Sequence, residues 1–439
     1  MPRGKASGAK GDKRWNYRAC QNCFRCGLCL MFCPTYREEF TQTSSPRGRL
    51  NILRAWSEGK LPPSSNLIEQ VYRCLGCGAC TTICPSGTPA AELILEAREF
   101  LKRGGIPAAS RRHLLDNLNL DSKRLHWASF LLRLYHTLGV RDLARSLGLL
   151  RLLPKSLREA ESLLPPMPAR ALSDLLPRVL PPPGQVKGRV SYFIGCVNNF
   201  VLIDVGLATV KVLNHLGYEV MIPPGMGCCG MPARTYGETE IAEGLAKHNI
   251  GLFEQAGGEA IIADCASCGH SLKQYAQIFE DDPLWAEPAA SFSSKVKDIN
   301  EFLAPLELPF ATPLAGVVTY HDPCHLVRGQ NLKAAPRQLL KSVTGLHWVE
   351  MAESDWCCGN AGSYLLTHPD LSLAILRRKM NNIRATGANL IATSCPACLM
   401  QLGLGVKRFG PEARVVHPVQ LLAQALGLIP SQEKSHAKV

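Results

Sequence analysis

The stretch "GGEAIIADCASC" at residues 257–268 places a short run of β-favouring residues directly before a C-x2-C pair. The same arrangement returns as "TGANLIATSCPAC" at residues 386–398. Upstream of each stretch, another β-favouring run ends at a cysteine, in "VSYFIGC" (190–196) and "VVTYHDPC" (317–324). The matched cysteines lie 128, 129 and 130 residues apart (196 to 324, 228 to 357, 265 to 395), so this part of the chain is an internal repeat.

We name the two copies repeat 1 (residues 189–308) and repeat 2 (residues 309–439). In each copy short β runs alternate with helical segments, which predicts an α/β domain with a mostly parallel sheet. Because the cysteines follow strands, we expect them to gather at the C-terminal ends of the strands. Open α/β sheets usually place their functional sites at that edge.

Each repeat contains a single cysteine, a vicinal Cys-Cys pair followed by glycine, and the C-x2-C pair. The five are Cys196, Cys228, Cys229, Cys265 and Cys268 in repeat 1, and Cys324, Cys357, Cys358, Cys395 and Cys398 in repeat 2. Adjacent cysteines converge on one site only through a distorted turn, which Gly230 and Gly359 permit. Five thiolates exceed the four that a cubane cluster needs, which indicates an unusual cluster or a catalytic thiol. A redox-active disulfide at the vicinal pair is the alternative.

The repeats also supply the candidate catalytic residues, which are Cys228, Cys229, Cys357, Cys358 and His325. His325 in "HDPCH" adjoins a predicted ligand cysteine, as His270 does in "CASCGH". A histidine in this position could donate a proton to a reducible site. A supporting role behind the ligands is the other interpretation.

Two further cysteine runs lie near the N-terminus, "CFRCGLCLMFCP" (23–34) and "CLGCGACTTICP" (74–85). Both have the C-x2-C-x2-C-x3-C-P spacing of proteins with two 4Fe-4S clusters, in which the cysteine before proline binds the other cluster. We therefore assign Cys23, Cys26, Cys29 and Cys84 to cluster 1, and Cys74, Cys77, Cys80 and Cys33 to cluster 2. Zinc favours separate C-x2-C pairs over such four-cysteine runs. Cys20 precedes the first run and is interpreted as a spare thiol, with exchange for Cys23 as the alternative.

Composition limits the class of protein. The 439 residues contain nineteen cysteines, and the basic, polar N-terminus resembles no secretion signal, which predicts a reducing, cytoplasmic location. No apolar run reaches the eighteen residues of a membrane span. The formal charge of +13 would suit nucleic acid, but bound thiolates reduce it, so no nucleic-acid partner is expected.

The chain divides into five predicted segments. A disordered basic tail (1–15) precedes an α-helical ferredoxin-type domain with two 4Fe-4S clusters (16–108), a helical and Pro-rich linker (109–188), and the two α/β repeats. The fold class is thus a multidomain mixture of α+β and α/β. The linker helices are expected to pack on protein, or to bind peripherally at the inner face of the cell membrane.

The combination of both cysteine layouts resembles the iron–sulfur subunit of glycolate oxidase. The resemblance covers residues 18 to about 425, and "CGLCLMFCPTY" (26–36), "CTTICPSG" (80–87) and "CCGNAGSYLLTHPDL" (357–371) are especially similar to that family. A broader kinship includes the iron–sulfur subunits of lactate dehydrogenases, anaerobic glycerol-3-phosphate dehydrogenase and heterodisulfide reductase.

The resemblance implies an electron-transfer subunit of a glycolate dehydrogenase-type oxidoreductase. A partner FAD-binding subunit would oxidise the 2-hydroxy acid, and electrons would pass through two 4Fe-4S clusters to a quinone or carrier protein. Some glycolate-type subunits have degraded C-x2-C pairs, whereas both are intact here. That departure implies one or two further, noncubane 4Fe-4S clusters. It also leaves open a heterodisulfide-reductase-like subunit whose clusters are catalytic.

Overall fold

The structure is a computed structural model that describes residues 15, 17–103, 122–148 and 167–430. The chain separates into two compact units, residues 1–108 and 109–439. Residues 1–14, most of the predicted basic tail, lie outside the described part. Trp15 is buried, and its Nε1 donates to the Leu93 carbonyl at 3.2 Å, so the folded unit includes this last residue of the predicted tail.

The N-terminal unit is helical, as predicted. Its α-helices are α1 (Leu28–Phe32), α2 (Pro34–Glu39), α3 (Pro46–Ser57), α4 (Ser65–Tyr72), α5 (Ala79–Thr82) and α6 (Ala90–Arg103), with 3-10 turns at Tyr17–Asn22 and Gln42–Ser44. Helix α3 begins at a capped turn: Ser45 Oγ accepts from Gly48 N at 3.0 Å, and Pro46 occupies the first turn. Leu53 on α3 and Ile94 on α6 are fully buried in the core.

Helices α7 (Ser122–Thr137) and α8 (Val140–Ser146) are the described part of the predicted linker helices. They expose many large apolar side chains, including Trp127 (65% exposed) and Leu131 (59%). Polar Ser129 and Arg133 are buried instead, and the Arg133 guanidinium lies 5.7 Å from the centre of the Phe200 ring. In this segment, therefore, many apolar side chains are exposed and some polar ones are buried.

Repeat 1 is built on a five-stranded sheet of order β1-β3-β2-β4-β5. Its strands are β1 (Val179–Leu180), β2 (Gly188–Phe193), β3 (Tyr218–Met221), β4 (Ala260–Ala263) and β5 (Val296–Asp298). Its helices are α9 (Leu172–Leu175), α10 (Cys196–Phe200), α11 (Ile203–His215), α12 (Met231–Tyr236), α13 (Thr239–Ala256), α14 (Ala266–Lys273), α15 (Tyr275–Ile278), α16 (Ala286–Lys295) and α17 (Ile299–Leu303). Strands β2 to β5 pair in parallel, and β4 is buried along its whole length.

Repeat 2 has a four-stranded, fully parallel sheet of order β7-β6-β8-β9. Its strands are β6 (Gly316–Tyr320), β7 (Leu346–Trp348), β8 (Leu390–Ala392) and β9 (Arg414–Val416). Its helices are α18 (Cys324–Val327), α19 (Ala334–Ser342), α20 (Tyr364–Thr367), α21 (Pro369–Arg384), α22 (Pro396–Phe409) and α23 (Pro418–Ala425). The strand order matches that of β3-β2-β4-β5, so the predicted parallel α/β repeat is confirmed.

The end of the predicted Pro-rich linker already belongs to the first sheet. Strand β1 pairs antiparallel with β3, Val179 opposite Met221, and Leu172 of α9 is fully buried in the core of repeat 1. Pro177 and Pro181 flank this strand, where proline is tolerated because β1 lies at the edge of the sheet. The C-terminal part of the segment predicted as a linker therefore forms a short edge strand.

The two repeats share one continuous hydrophobic core. Ala266 N donates to the Ser394 carbonyl at 2.9 Å, so the two C-x2-C segments are joined through their backbones. Tyr236 of repeat 1 reaches Ser363 of repeat 2, where its hydroxyl accepts from Ser363 N at 2.6 Å and lies 2.7 Å from Ser363 Oγ. Among the described residues, no helix has the length and apolar content to cross a membrane.

We predict that Tyr236→Phe lowers the stability of the C-terminal unit. The change leaves the buried Ser363 N–H without its acceptor, at a cost on the order of 1–3 kcal/mol. Tyr218→Phe is the matched control, because Tyr218 packs on Phe302 and its hydroxyl makes no hydrogen bond within the described residues. Calorimetry of the anaerobically purified protein should show a lower unfolding midpoint for Tyr236→Phe alone. Equal midpoints for both variants would contradict the prediction.

Candidate metal centres

The cysteines of the repeats lie at the C-terminal ends of the central strands. Cys196 and Cys265 follow β2 and β4 in repeat 1, and Cys324 and Cys395 follow β6 and β8 in repeat 2. In each sheet these two strands are neighbours, and the strand that follows each of them in the chain lies toward the opposite edge of the sheet. This is the edge at which doubly wound sheets place their sites, and it brings the cysteines together.

All ten thiols form one continuous series in which each thiol influences the pKa of the next. Its order is Cys196, Cys228, Cys229, Cys268, Cys265, Cys395, Cys398, Cys358, Cys357 and Cys324. The Sγ atoms of Cys358 and Cys398 are 3.5 Å apart. The series runs through both vicinal pairs and crosses from one repeat to the other at Cys265 and Cys395. Each repeat thus brings its five predicted ligands to one place.

Three thiols in the series have lowered pKa values because two other thiols donate to each of them. Hydrogen bonds from Cys228 and Cys268 lower the pKa of Cys229. Cys324 and Cys358 do the same for Cys357, and Cys265 and Cys398 for Cys395. Thiolates are the form that binds metal ions. The thiol with two donating neighbours is therefore the one in each group of three that most readily becomes an anionic ligand.

The predicted histidines lie at the contact between the repeats. His325 and His270 stack with ring centres 5.1 Å apart, and His325 Nδ1 is 2.9 Å from Ser267 Oγ. Ser267 Oγ in turn lies 3.5 Å from Cys395 Sγ, so His325 reaches a thiol through one hydroxyl. Burial lowers the pKa of His325 and takes that of His270 to about 3, so both rings are neutral at pH 7.

Sequence reasoning missed two buried residues beside the repeat 2 thiols. A ring nitrogen of His321 and the Sγ atoms of Cys358 and Cys398 all lie within 4.8 Å of one another. Lys379 is fully buried and donates to the carbonyls of Glu353 and Ser354. Burial lowers its pKa to about 8, although the nearby Cys358 thiol opposes the shift. The sequence signal for His321 is its place three residues before Cys324.

In the N-terminal unit one cavity collects the four cysteines assigned to cluster 2. Its lining includes Cys74, Cys77, Cys80 and Cys33, so the cysteine before Pro34 lies with the second run. Burial raises the pKa of Cys80, and its thiol neighbours Cys74, Cys77 and Cys33 raise it further. This cavity offers four sulfur donors to one centre.

The first run brings Cys23, Cys26 and Cys29 close to one another. Cys29 has a pKa raised to about 11 by burial and by the neighbouring Cys23, Cys33 and Cys26 thiols. Cys84, the fourth cysteine predicted for cluster 1, lies 3.2 Å from Ser86 Oγ, and the hydrogen bonds of Ser86 and Thr88 outweigh burial and lower its pKa.

Arginines surround the cluster 2 cavity. Arg49 lines the cavity, is 1% exposed, and donates to Gln70 O at 2.7 Å and Thr35 Oγ1 at 3.1 Å. Arg98, which the sequence did not single out, is also buried and donates to the Cys74 carbonyl. Fixed positive charge next to four thiolates favours the anionic state of such a site.

Cys20 belongs to neither predicted ligand set, although it lies next to Cys23, whose N donates to the Cys20 carbonyl at 3.4 Å. It is buried in the core of the N-terminal unit, and burial raises its pKa to about 11. A thiol with that pKa stays protonated at pH 7 and packs as a small apolar side chain. All nineteen cysteines fall within the described residues, and all are free thiols, including both vicinal pairs.

This donor set fits iron–sulfur clusters. The described cysteines form sulfur-rich groups, with four at the cluster 2 cavity and five in each repeat, and few oxygen donors accompany them. Thiolate ligands select iron–sulfur clusters, zinc and Cu(I). Five thiols around each repeat site exceed the four of a tetrahedral zinc site, and the C-x2-C-x2-C-x3-C-P runs are typical of clusters.

Comparison with known proteins agrees with this chemistry. Residues 19–88 match the 4Fe-4S dicluster domain, and residues 190–273 and 318–403 match the cysteine-rich domain. Residues 108–164 match the linker region of the glycolate oxidase iron-sulfur subunit. The probable glycolate oxidase iron-sulfur subunit of Bacillus subtilis is 38% identical over 92% of this chain and 94% of its own. The chain belongs to the glycolate oxidase iron-sulfur subunit family.

Two further relatives and one solved structure are similar to this chain. Lactate utilization protein A of Oceanobacillus iheyensis is 34% identical over 53% of this chain and 96% of its own length. A fumarate reductase (CoM/CoB) subunit of Methanothermobacter marburgensis is 28% identical over 92% of this chain and 72% of its own. A hypothetical protein from Helicobacter pylori has the same fold, with a TM-score of 0.53, 13% identity, and coverage of 87% of this chain and 68% of that structure.

We predict that Gly359→Ala disrupts the repeat 2 site. Gly359 has φ of 89°, and an added Cβ would lie 2.6 Å from the Ser372 carbonyl oxygen. Gly387→Ala is the control, since Gly387 has φ of 66° and open space around it. The control should lose about 1–2 kcal/mol for the left-handed backbone. Gly359→Ala should lose on the order of 3 kcal/mol or more because the clash adds to it.

Calorimetric unfolding midpoints and iron content measure this difference. Gly359→Ala should contain less iron than Gly387→Ala after anaerobic purification, because the turn that presents Cys357 and Cys358 is displaced. Equal iron content and equal midpoints would show that the tight turn after the vicinal pair is dispensable.

Proposed function

We propose that this chain is the electron-transfer subunit of a complex that oxidises glycolate or a related 2-hydroxy acid. The observation that carries the proposal is the match to a glycolate oxidase iron-sulfur subunit over 92% of the chain, together with the described groups of thiols. A partner subunit that binds FAD would take electrons from the hydroxy acid. This chain would receive them and pass them to a quinone or a carrier protein.

The two ferredoxin-type runs would hold two cubane 4Fe-4S clusters. Cluster 2 would use Cys74, Cys77, Cys80 and Cys33, and the cavity that they line supports this set. Cluster 1 would use Cys23, Cys26, Cys29 and Cys84. When bound, such clusters accept and donate single electrons. The chain's own contribution is to exclude water and to supply the buried charge of Arg49 beside cluster 2.

The repeats would hold one or two noncubane 4Fe-4S clusters. Support comes from the five intact cysteines in each repeat and from the crossing of the thiol series at Cys265 and Cys395. Because this contact joins the two groups, electrons that reach one repeat are next to the thiols of the other. The His325–Ser267 pair provides a polar contact to Cys395 at the same point.

The exposed apolar side chains of α7 and α8 provide a surface for assembly. Trp127, Leu131, Leu138, Leu143 and Leu147 are each more than half exposed. Surfaces of this kind normally contact another protein or a membrane. The proposed complex would use this surface for its flavoprotein partner or at the inner face of the cell membrane.

A second candidate function is disulfide reduction at the repeats. The specific observation is that both C-x2-C pairs are intact and that their thiols meet across the repeats. The fumarate reductase relative matched over 92% of the chain carries CoM and CoB in its name, and thiol chemistry in this chain would suit such a reductase. On this view the clusters near Cys228 and Cys357 would react directly with a disulfide or thiol.

We predict that the complex purified anaerobically with its flavoprotein partner oxidises glycolate and that glycolate reduces its iron–sulfur clusters. EPR spectroscopy after mixing with glycolate, lactate or glycerol-3-phosphate identifies the reductant. Failure of every 2-hydroxy acid to reduce the clusters would contradict the proposed function. A thiol-dependent EPR signal that Cys228→Ser or Cys357→Ser abolishes would instead support disulfide chemistry.

We predict that Cys33→Ser and Cys77→Ser alter the same cluster EPR signal, whereas Cys26→Ser alters the other. The reason is that Cys33 lines the cavity with Cys77, whereas Cys26 is not among the residues that line it. Cys20→Ser is the matched control and should leave both signals and the iron content unchanged. If Cys33→Ser and Cys26→Ser altered the same signal, the assignment of Cys33 to the cluster of the second run would be wrong.

A further inference from the structure

His321 is a fully buried imidazole that lacks a satisfactory partner in the protein. It directly follows strand β6, and neither ring nitrogen makes a hydrogen bond of good geometry. The Ser354 carbonyl lies close enough for a weak interaction, but it already accepts from Asp322 N and Lys379 Nζ. Buried polar groups without partners are rare and costly in folded proteins.

The side chain is held toward the thiols rather than left there by loose packing. His321 N donates to the Ala392 carbonyl at 2.9 Å, which extends the pairing of β6 with β8. The next residue, Asp322, is clamped by Arg337, whose two terminal nitrogens lie 2.8 and 2.6 Å from its carboxylate oxygens. The backbone on both sides is therefore fixed, and with it the position of the ring beside Cys358 and Cys398.

Repeat 1 shows that the fold does not require a histidine at this position. Cys196 and Cys324 match at a spacing of 128 residues, and the same spacing places Phe193 opposite His321. Phe193 is 1% exposed and packs on Phe253, with ring centres 5.8 Å apart. An apolar ring therefore fills this place in one copy, and the other copy has a nitrogen donor instead.

The imidazole has a ring nitrogen available for a metal ion. His321 is fully buried, and neither ring nitrogen has a well-placed hydrogen-bond partner. A neutral imidazole suits iron and zinc, with metal–nitrogen distances of about 2.0–2.1 Å and metal–sulfur distances of about 2.3 Å. Three donor atoms within 4.8 Å of one another can surround a single ion after small side-chain movements.

We propose that His321 is a nitrogen ligand of the iron–sulfur centre of repeat 2, so that the two Cys-Cys-Gly sites are chemically different. This inference rests on one part of the proposed function, namely that the repeat 2 thiols hold an iron–sulfur centre. The weak contact with Ser354 fits a ligand histidine, because one ring nitrogen commonly faces a carbonyl while the other binds the metal. Repeat 1 would hold its centre by sulfur alone.

The repeats also differ in the charge of a buried residue near the thiols. The buried residues of α13 and α21 match at a spacing of 130 residues, which places Asn249 opposite Lys379. Asn249 donates to the Cys228 carbonyl at 3.0 Å, so repeat 1 has a neutral amide where repeat 2 has a buried cation. A neutral nitrogen ligand and a nearby positive charge both favour the reduced state. The repeat 2 centre would therefore be reduced before that of repeat 1.

Isotope labelling of the holoprotein tests the ligand directly. The complete chain, purified anaerobically, is prepared with either ¹⁴N- or ¹⁵N-histidine, and its paramagnetic states are examined by pulsed EPR. We expect one strongly coupled histidine nitrogen that changes with the isotope and belongs to a centre other than the two cubanes. Absence of a labelled nitrogen on a repeat centre in the wild-type protein would overturn the proposal without any variant.

His321→Phe and a matched control complete the test. The variant introduces the residue that repeat 1 already has, and it should lose the nitrogen coupling while iron and sulfide remain at wild-type amounts. His347→Gln, an exposed histidine on β7, should keep the coupling. Persistence of the coupling in His321→Phe would overturn the assignment. If His321→Phe fails to fold, His321→Asn is measured in the same way.

The outcomes separate this inference from the proposed function. Coupling in a protein whose centres no 2-hydroxy acid reduces would support the ligand and contradict the electron-transfer proposal. If glycolate reduced a repeat 2 centre that showed no histidine coupling, the electron-transfer proposal would be supported and the ligand assignment contradicted. Iron content that accounts for two cubanes alone would overturn the ligand, because no centre would then be present for His321 to bind.

Discussion

Ten cysteine thiols grouped within a protein interior can become thiolates together only if positive charge is bound among them. Eight of the ten repeat cysteines are buried, and each has another thiol as a neighbour. Burial disfavours every additional negative charge, and so does each adjacent thiolate. The arrangement is therefore suited to iron, and the parallel sheets, the turns after the vicinal pairs and the shared core of the repeats all serve to maintain it.

Much of this arrangement could be predicted from the sequence. The spacing of 128 to 130 residues between matched cysteines identified the repeat, and β-favouring runs before Cys196 and Cys265 placed the ligands at strand ends. Those predictions succeed because strand periodicity and cysteine position are local properties. The edge strand β1 and the buried Trp15 were missed, since each depends on tertiary contacts that proline content and tail composition do not reveal.

The side chains that distinguish the two repeats were harder to see. His325 could be predicted because it adjoins Cys324, and it lies at the contact of the repeats. His321 was missed because it lies three positions before Cys324 and adjoins no cysteine. Its partners Cys358 and Cys398 are distant in sequence, so only folding brings them together. Lys379 looked like one basic residue in "LRRKM", although it is fully buried. Alignment of the two copies against each other does contain the signal, as Phe193 opposite His321.

The burial of the thiols also constrains how the protein is made. Cys265 and Cys395 meet where the two repeats join, next to the Ala266–Ser394 backbone hydrogen bond. With the proposed clusters in the repeats, iron delivered after the repeats have docked would have to enter a packed core. Insertion of such a cluster would therefore precede or accompany docking of the second repeat on the first, and metal loading would stabilise the contact between them.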